Sequence, residues 1–253
     1  AITLDEANSL QGAITFTTAT TSANNAAHIN LNNGSRAISL AGFTTEGNLT
    51  LRTTDTSDFQ IPAHEVNGTL SVTTAGAIPQ SGVLTVTGDS AFTSTGSDKT
   101  ITLGSANVLT GDVTLSTAGT SGNVTIDNGT NALMLQGTVL GNLTVLNENT
   151  IGDSDTLRVT GTSSFTTEAS GNHITLGTAD LEDGITLNTF DTSNFTLDNV
   201  DQAVILAAGT VRGALSVTTS TSGTITQTGA LTVTGNATFT TEGNDQALSL
   251  IHI

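Results

Sequence analysis

Any chemistry this chain performs must come from 22 acidic side chains and four histidines, because it has no Cys, Trp or Tyr and only five Lys and Arg together. Glycoside cleavage needs two or three carboxylates at a fixed separation. A lyase needs a base beside a cation that steadies the carbanion. The acidic residues that cluster are Asp153 with Asp155, Asp180 with Glu182 and Asp183, and Asp191 with Asp198 and Asp201. They fall where turns are expected, and Arg158 is the one cation near them. Solvated turn carboxylates account for all three clusters. His28, His64, His173 and His252 are scattered, and His64-Glu65 is not followed by the second His that a zinc protease requires. There is no Gly-rich loop followed by Lys and no Gly-x-Ser-x-Gly elbow. No catalytic or cofactor-binding residue is assigned. Calcium is the one cation that acidic turns could hold, through carboxylate and carbonyl oxygens. Its candidate ligands are Asp153, Asp155, Asp198 and Asp201.

Hydroxyls are the other abundant polar group, with 53 Thr among 253 residues. Thr is β-branched and favours strands. Pairs such as Thr15/Thr17, Thr85/Thr87, Thr100/Thr102, Thr224/Thr226, Thr232/Thr234 and Thr238/Thr240 would point outward from strands. A flat Thr-x-Thr array could bind ice or glycan. The matching slots elsewhere hold Arg52, Asp127, Leu146, Arg158, Asn188 and Asp198, which would interrupt it.

The elements that must carry these residues are set by a repeat. Gly68-Thr-Leu-Ser-Val-Thr-Thr74, Gly141-Asn-Leu-Thr-Val-Leu-Asn147 and Gly213-Ala-Leu-Ser-Val-Thr-Thr219 begin 73 and 72 residues apart. The register then holds through Leu84-Thr-Val86, Leu157-Arg-Val159 and Leu231-Thr-Val233, and through Phe92, Phe165 and Phe239. Val113-Thr-Leu115 matches Ile185-Thr-Leu187, and Val124-Thr-Ile-Asp-Asn128 matches Phe195-Thr-Leu-Asp-Asn199. The chain therefore reads as one continuous domain of roughly 72-residue units: a partial unit over 1–67, full units over 68–140 and 141–212, and a partial unit over 213–253.

Within a unit, short apolar-Thr/Ser-apolar strands recur about every nine to eleven residues, commonly after Gly. Strict alternation buries one face and wets the other, and no segment sustains a helical period. The spacing predicts an all-β parallel β-helix, a β-solenoid of short Gly/Thr-rich strands with two or three strands per coil. Asn33-Gly34, Asn67-Gly68 and Asp183-Gly184 are hairpin signals that keep a β-sandwich as the alternative. The predicted core is Leu70, Val72 and Phe92, with Leu143, Val145, Phe165, Leu215, Val217 and Phe239 at the equivalent positions of the next units.

A net charge of −17 with isolated cations excludes nucleic acid as a partner and disfavours anionic lipid. The longest apolar run, residues 203–208, is far too short to span a bilayer as a helix. The Gly-x-Leu-Thr-Val-Thr-Gly rungs followed by Phe-Thr-Thr resemble the β-strand repeat regions of bacterial surface exoproteins similar to filamentous-haemagglutinin-like adhesins. That resemblance implies a right-handed parallel β-helix outside a bacterium, secreted to the cell surface as adhesin, stalk or fibre. With no catalytic constellation in the residues, the expectation is a rod without catalysis whose partner is a host or neighbouring cell surface. The secretion-signal region of such exoproteins carries Asn-Pro motifs, whereas Pro62 and Pro79 do not follow Asn, so the resemblance is to the shaft. A polysaccharide-acting β-helix enzyme is a third reading. Rung-like sequence at both ends, with Ile2 and Leu4 at one and Leu248, Leu250 and Ile251 at the other, predicts end-to-end stacking with itself or continuation in a longer chain.

Overall fold

A short strand with one apolar face cannot bury that face alone, and stacking like rungs on like buries all of them at once. The computed structural model describes residues 1–17, 27–200, 202–220, 223–242 and 247–250, and its strands stack in this way. Among the described residues no helix forms. Twelve strands, from Ile2–Leu4 to Ala237–Thr241, make one wall, and an 11-stranded sheet faces it. A 4-stranded sheet adds a third face over part of the first half of the chain. Neighbouring rungs pair in parallel, as in Leu49↔Leu70, Leu70↔Ser90 and Ser90↔Val113, which makes one coil 20–23 residues here. The fold is the expected all-β parallel solenoid. A sandwich, which needs antiparallel hairpins, is overturned by this pairing. The three hairpin signals turn corners instead: Asn33-Gly34, for example, links Ile29–Asn32 to Ser39–Leu40, strands of two different sheets.

Leu70, Val72, Phe92, Leu143, Val145, Phe165, Leu215 and Val217 are all buried in one continuous core. Phe239 departs from expectation and is only half-buried. A residue in a solenoid lumen is covered by the rungs on both sides, and among the described residues Ala237–Thr241 pairs with Leu215–Thr219 alone. Ile2, Leu4 and Leu250 are likewise half-buried against the core, and Leu248 is 51% exposed. Ile251 lies outside the described residues, as do Asp201 and His252.

The sequence repeat and the coil do not share a period. Leu70–Thr74 and Leu215–Thr219 lie in the 12-stranded wall, seven steps apart, whereas the intervening equivalent, Leu143–Asn147, lies in the opposite wall. Phe92, Phe165 and Phe239 alternate in the same manner. One unit is thus three and a half turns. A half-turn is either one long strand, such as Leu70–Thr74, or two short strands joined at a bend, such as Ile78–Pro79 with Leu84–Val86. Long and split half-turns alternate until Asp112–Ala118 is followed directly by a second long strand, Val124–Asp127, on the other wall. Leu133–Val139, kinked between Leu135 and Gly137, is then split, and the next unit starts half a turn out of phase. Ile185–Asn188 followed by Phe195–Asn199 repeats the step one unit later.

The corners are closed by buried amides. The Leu109 N–H donates to Asn128 Oδ1 (2.8 Å), and Asn128 Nδ2 donates to the Leu109 and Ala132 carbonyls (2.9 and 3.0 Å). Asn199 treats Leu181 and Ala203 identically, and Asn33 does the same to Leu10 and Ala37. Backbone groups at a corner have left the ladder, so each Asn satisfies donors and acceptors that burial would otherwise leave unpaired. Gly137 and Gly209, equivalent in the repeat, are fixed by close approach. A side chain at either would collide with a carbonyl of the coil beneath, that of Leu115 or Leu187.

Candidate functional site

Several of the carboxylates with catalytic or metal-binding potential are engaged within the fold. Asp153 accepts from the N–H groups of Gly177 (2.8 Å) and Thr178 (2.6 Å), tying one coil to the next. Asp155 accepts the N–H of Thr156 (2.7 Å), and Asp198 accepts the Ser220 hydroxyl. Asp153 and Asp198 lie two rungs apart in the same wall, on Ile151–Val159 and Phe195–Asn199. The structure therefore does not bring Asp153, Asp155 and Asp198 to one point. Among the described residues no three His, Cys, Asp or Glu side chains are grouped to hold a metal ion. Asp98 plays the same part as Asp153. It accepts the N–H groups of Thr120 (2.7 Å) and Ser121 (2.8 Å), and these bonds hold its carboxyl below the usual range. Arg158 lies against Asp180 (3.2 Å) and Glu182, offsetting part of the charge of the second acidic cluster.

The three described histidines are held within the fold. His28 Nδ1 accepts the Asn48 N–H and His173 Nδ1 accepts the Asn194 N–H, both at 3.0 Å. Each of these Asn residues in turn accepts from the next coil, at Thr69 or Ala214. His28 and His173 are 145 residues apart, so they are the same position two units on, a relation hidden while the four histidines are read singly. His64 occupies the lumen slot beside Leu84, its ring edge-on to Phe43 with centroids 4.1 Å apart. Burial pushes its imidazole down to about 4.

The hydroxyl rows are real but narrow. On the 11-stranded wall Thr102, Thr125, Thr144, Ser164 and Thr186 stand in direct register over five rungs. The row beside it reads Asp127, Leu146, Thr166, Asn188, Thr210 and Thr232. On the other wall Thr73, Thr93, Ser116 and Thr138 run between Arg52 and Arg158. A flat face of Thr alone does not form at these positions.

Among several open surface grooves of about 280–410 Å³, one carries an exposed aromatic ring. It measures about 390 Å³ and is lined by Thr166, Glu168, Asn188, Phe190, Thr210 and Arg212, among others. Phe190 is 51% exposed, whereas most of the other Phe rings are buried. Phe190 was not among the residues singled out from the sequence. The available signal was that Phe190 falls where the preceding unit has Ala118.

The family model described as Repeats of unknown function (DUF5649) matches residues 46–116, 121–193 and 192–252. No curated protein and no solved structure matches the chain.

Proposed function

We propose that this chain, which belongs to that family of repeats, is a shaft: a structural and adhesive rod segment displayed outside a bacterial cell, without catalytic activity of its own. The observation that carries the reading is the half-turn repeat. Each copy keeps its lumen side chains, adds three and a half turns of length and returns its outer face to the opposite wall. Twelve stacked strands at about 4.8 Å give a rod roughly 50 Å long. Asp153, His28 and His173 brace the backbone against a neighbouring coil. The partners of such a rod are a facing cell surface and more of the same solenoid. Ile2–Leu4 and Ala237–Thr241 each pair on one side only among the described residues, and open strand edges template further pairing.

Immunogold electron microscopy of the source cells with antibody against residues 68–212 tests the reading. Label along surface fibres or on the outer envelope is expected. Label confined to the cell interior overturns it.

A further inference from the structure

We infer that the groove around Phe190 is a binding subsite for a neutral saccharide unit. The inference deepens the adhesive part of the reading above, and rests on it for what the binding is used for.

The two full units provide an internal control. In the unit 68–140 the equivalent positions hold Thr95, Ser116, Ala118 and Leu140, and in the unit 141–212 they hold Glu168, Asn188, Phe190 and Arg212. The scaffold beneath is the same. The Leu140 N–H donates to Thr117 Oγ1 (2.8 Å), and the Arg212 N–H donates to Thr189 Oγ1 (2.9 Å). The same backbone thus presents small or aliphatic side chains on one wall. On the other wall it presents an exposed ring, an acid, an amide and a guanidinium, all converging on one groove.

The chemistry selects the ligand. One exposed ring among polar side chains suits a molecule with one apolar face and a rim of hydroxyls, rather than an apolar peptide that would need several rings. The C–H face of a pyranose packs on Phe190. Carboxylate, guanidinium and carboxamide each offer two parallel hydrogen-bonding atoms, which fit adjacent ring hydroxyls. Among the described residues Arg212 takes part in no ion pair, so its fork is available. Having both Glu168 and Arg212 at the rim favours an uncharged ligand over a strongly anionic or cationic one. The volume falls within the usual range for ligand clefts, about 300–1,000 Å³.

The test is saturation-transfer NMR and calorimetry of the whole chain. The probes are soluble neutral oligosaccharides of glucose, mannose, galactose and N-acetylglucosamine, with oligouronates as the charged comparison. At least one neutral oligosaccharide should bind at one site per chain. Phe190→Ala should weaken it at least tenfold with unchanged circular dichroism and melting, and Arg212→Leu severalfold. Grafting T95E, S116N, A118F and L140R onto the first unit should raise the stoichiometry to two. Absence of neutral saccharide binding, tighter binding of oligouronates, or binding indifferent to Phe190→Ala overturns the proposal. The surface location tested by immunogold is untouched by any of these results, so the two readings fail separately.

Discussion

The units 68–140 and 141–212 share their lumen and differ in their outer face. Inward, Leu70, Val72 and Phe92 become Leu143, Val145 and Phe165, all buried, although the second set hangs from the opposite wall. Outward, Ser71 and Thr73 become Thr144 and Leu146, and Thr95 and Ala118 become Glu168 and Phe190. The lumen tolerates little change because every slot is packed from above, below and across, so altered volume costs free energy at once. Outward slots meet solvent and are free to diverge. A lumen side chain is therefore fixed by its place in the coil, whichever wall supplies it, while the outer faces are free to differ.

Equal truncations in the two units are the sharpest way to break that comparison. Phe92→Ala and Phe165→Ala should each cost about 3–5 kcal/mol by urea denaturation, the range for a fully buried ring. Phe239→Ala, at a slot covered on one side, should cost about 1–2 kcal/mol, the part of the transfer free energy a half-buried ring can lose. Three equal losses would mean that the stack covers Phe239 as fully as the others.

Corner amides come next. Asn128→Ala and Asn199→Ala should destabilise the fold by about 1–3 kcal/mol each, because the Leu109 or Leu181 N–H is left buried without an acceptor. Markedly unequal effects would show that the two corners are not equivalent.

Acid should act on the first part of the chain through His64, whose slot belongs to Leu84 in the next coil. Its imidazole titrates at about 4 in the fold against 6.5 when solvated, so the folded state prefers it neutral. The resulting stability is complete above 6.5 and is lost as pH falls from 6.5 towards 4. Melting temperature should decline through that window, and His64→Leu should flatten the decline. Asp98, whose carboxyl is depressed by the Thr120 and Ser121 N–H groups, contributes stability above its ordinary 3.8 that is lost below it, a separate and lower window. The smallest effect belongs to Arg158→Ala. Its half-buried pairing with Asp180 and Glu182 should be worth about 1 kcal/mol and should weaken in salt.

Much of the fold was legible in the residues. Alternation pointed to the strands, and the return of Leu70, Phe92 and their equivalents pointed to the stacking. The half-turn phase was not legible, because periodicity reports a residue's local surroundings, and the two walls of the lumen are equally apolar. Asn33-Gly34 misled as a hairpin signal. The same dipeptide that turns an antiparallel pair also turns a coil corner once its amide is buried, and only long-range contact to Leu10 decides between them. The acidic clusters were expected at turns, yet Asp153, Asp155, Asp180 and Asp198 lie within the strands Ile151–Val159, Ile174–Leu181 and Phe195–Asn199, and which carboxylates reach the next coil, as Asp153 reaches Gly177 and Thr178, depends on coil register. The Phe190 groove required the repeat to be laid on the coil before its four departures could be seen to converge.

The claim on which the rest depends is that one unit makes three and a half turns. The chain has no native Cys, so spin labels can be placed cleanly at Ser71, Thr144 and Ser216 and their separations measured by pulsed electron paramagnetic resonance. Ser71 and Ser216 share a wall seven rungs apart, and should lie about 34 Å from one another. Ser71 and Thr144 project from opposite walls, which adds the roughly 10 Å between sheets and the outward reach of both labels to an axial offset of about 17 Å, for a separation above about 25 Å. That pair of distances is the predicted result. A Ser71–Thr144 separation near the axial offset alone, about 17 Å, would place both residues on one wall and contradict the account.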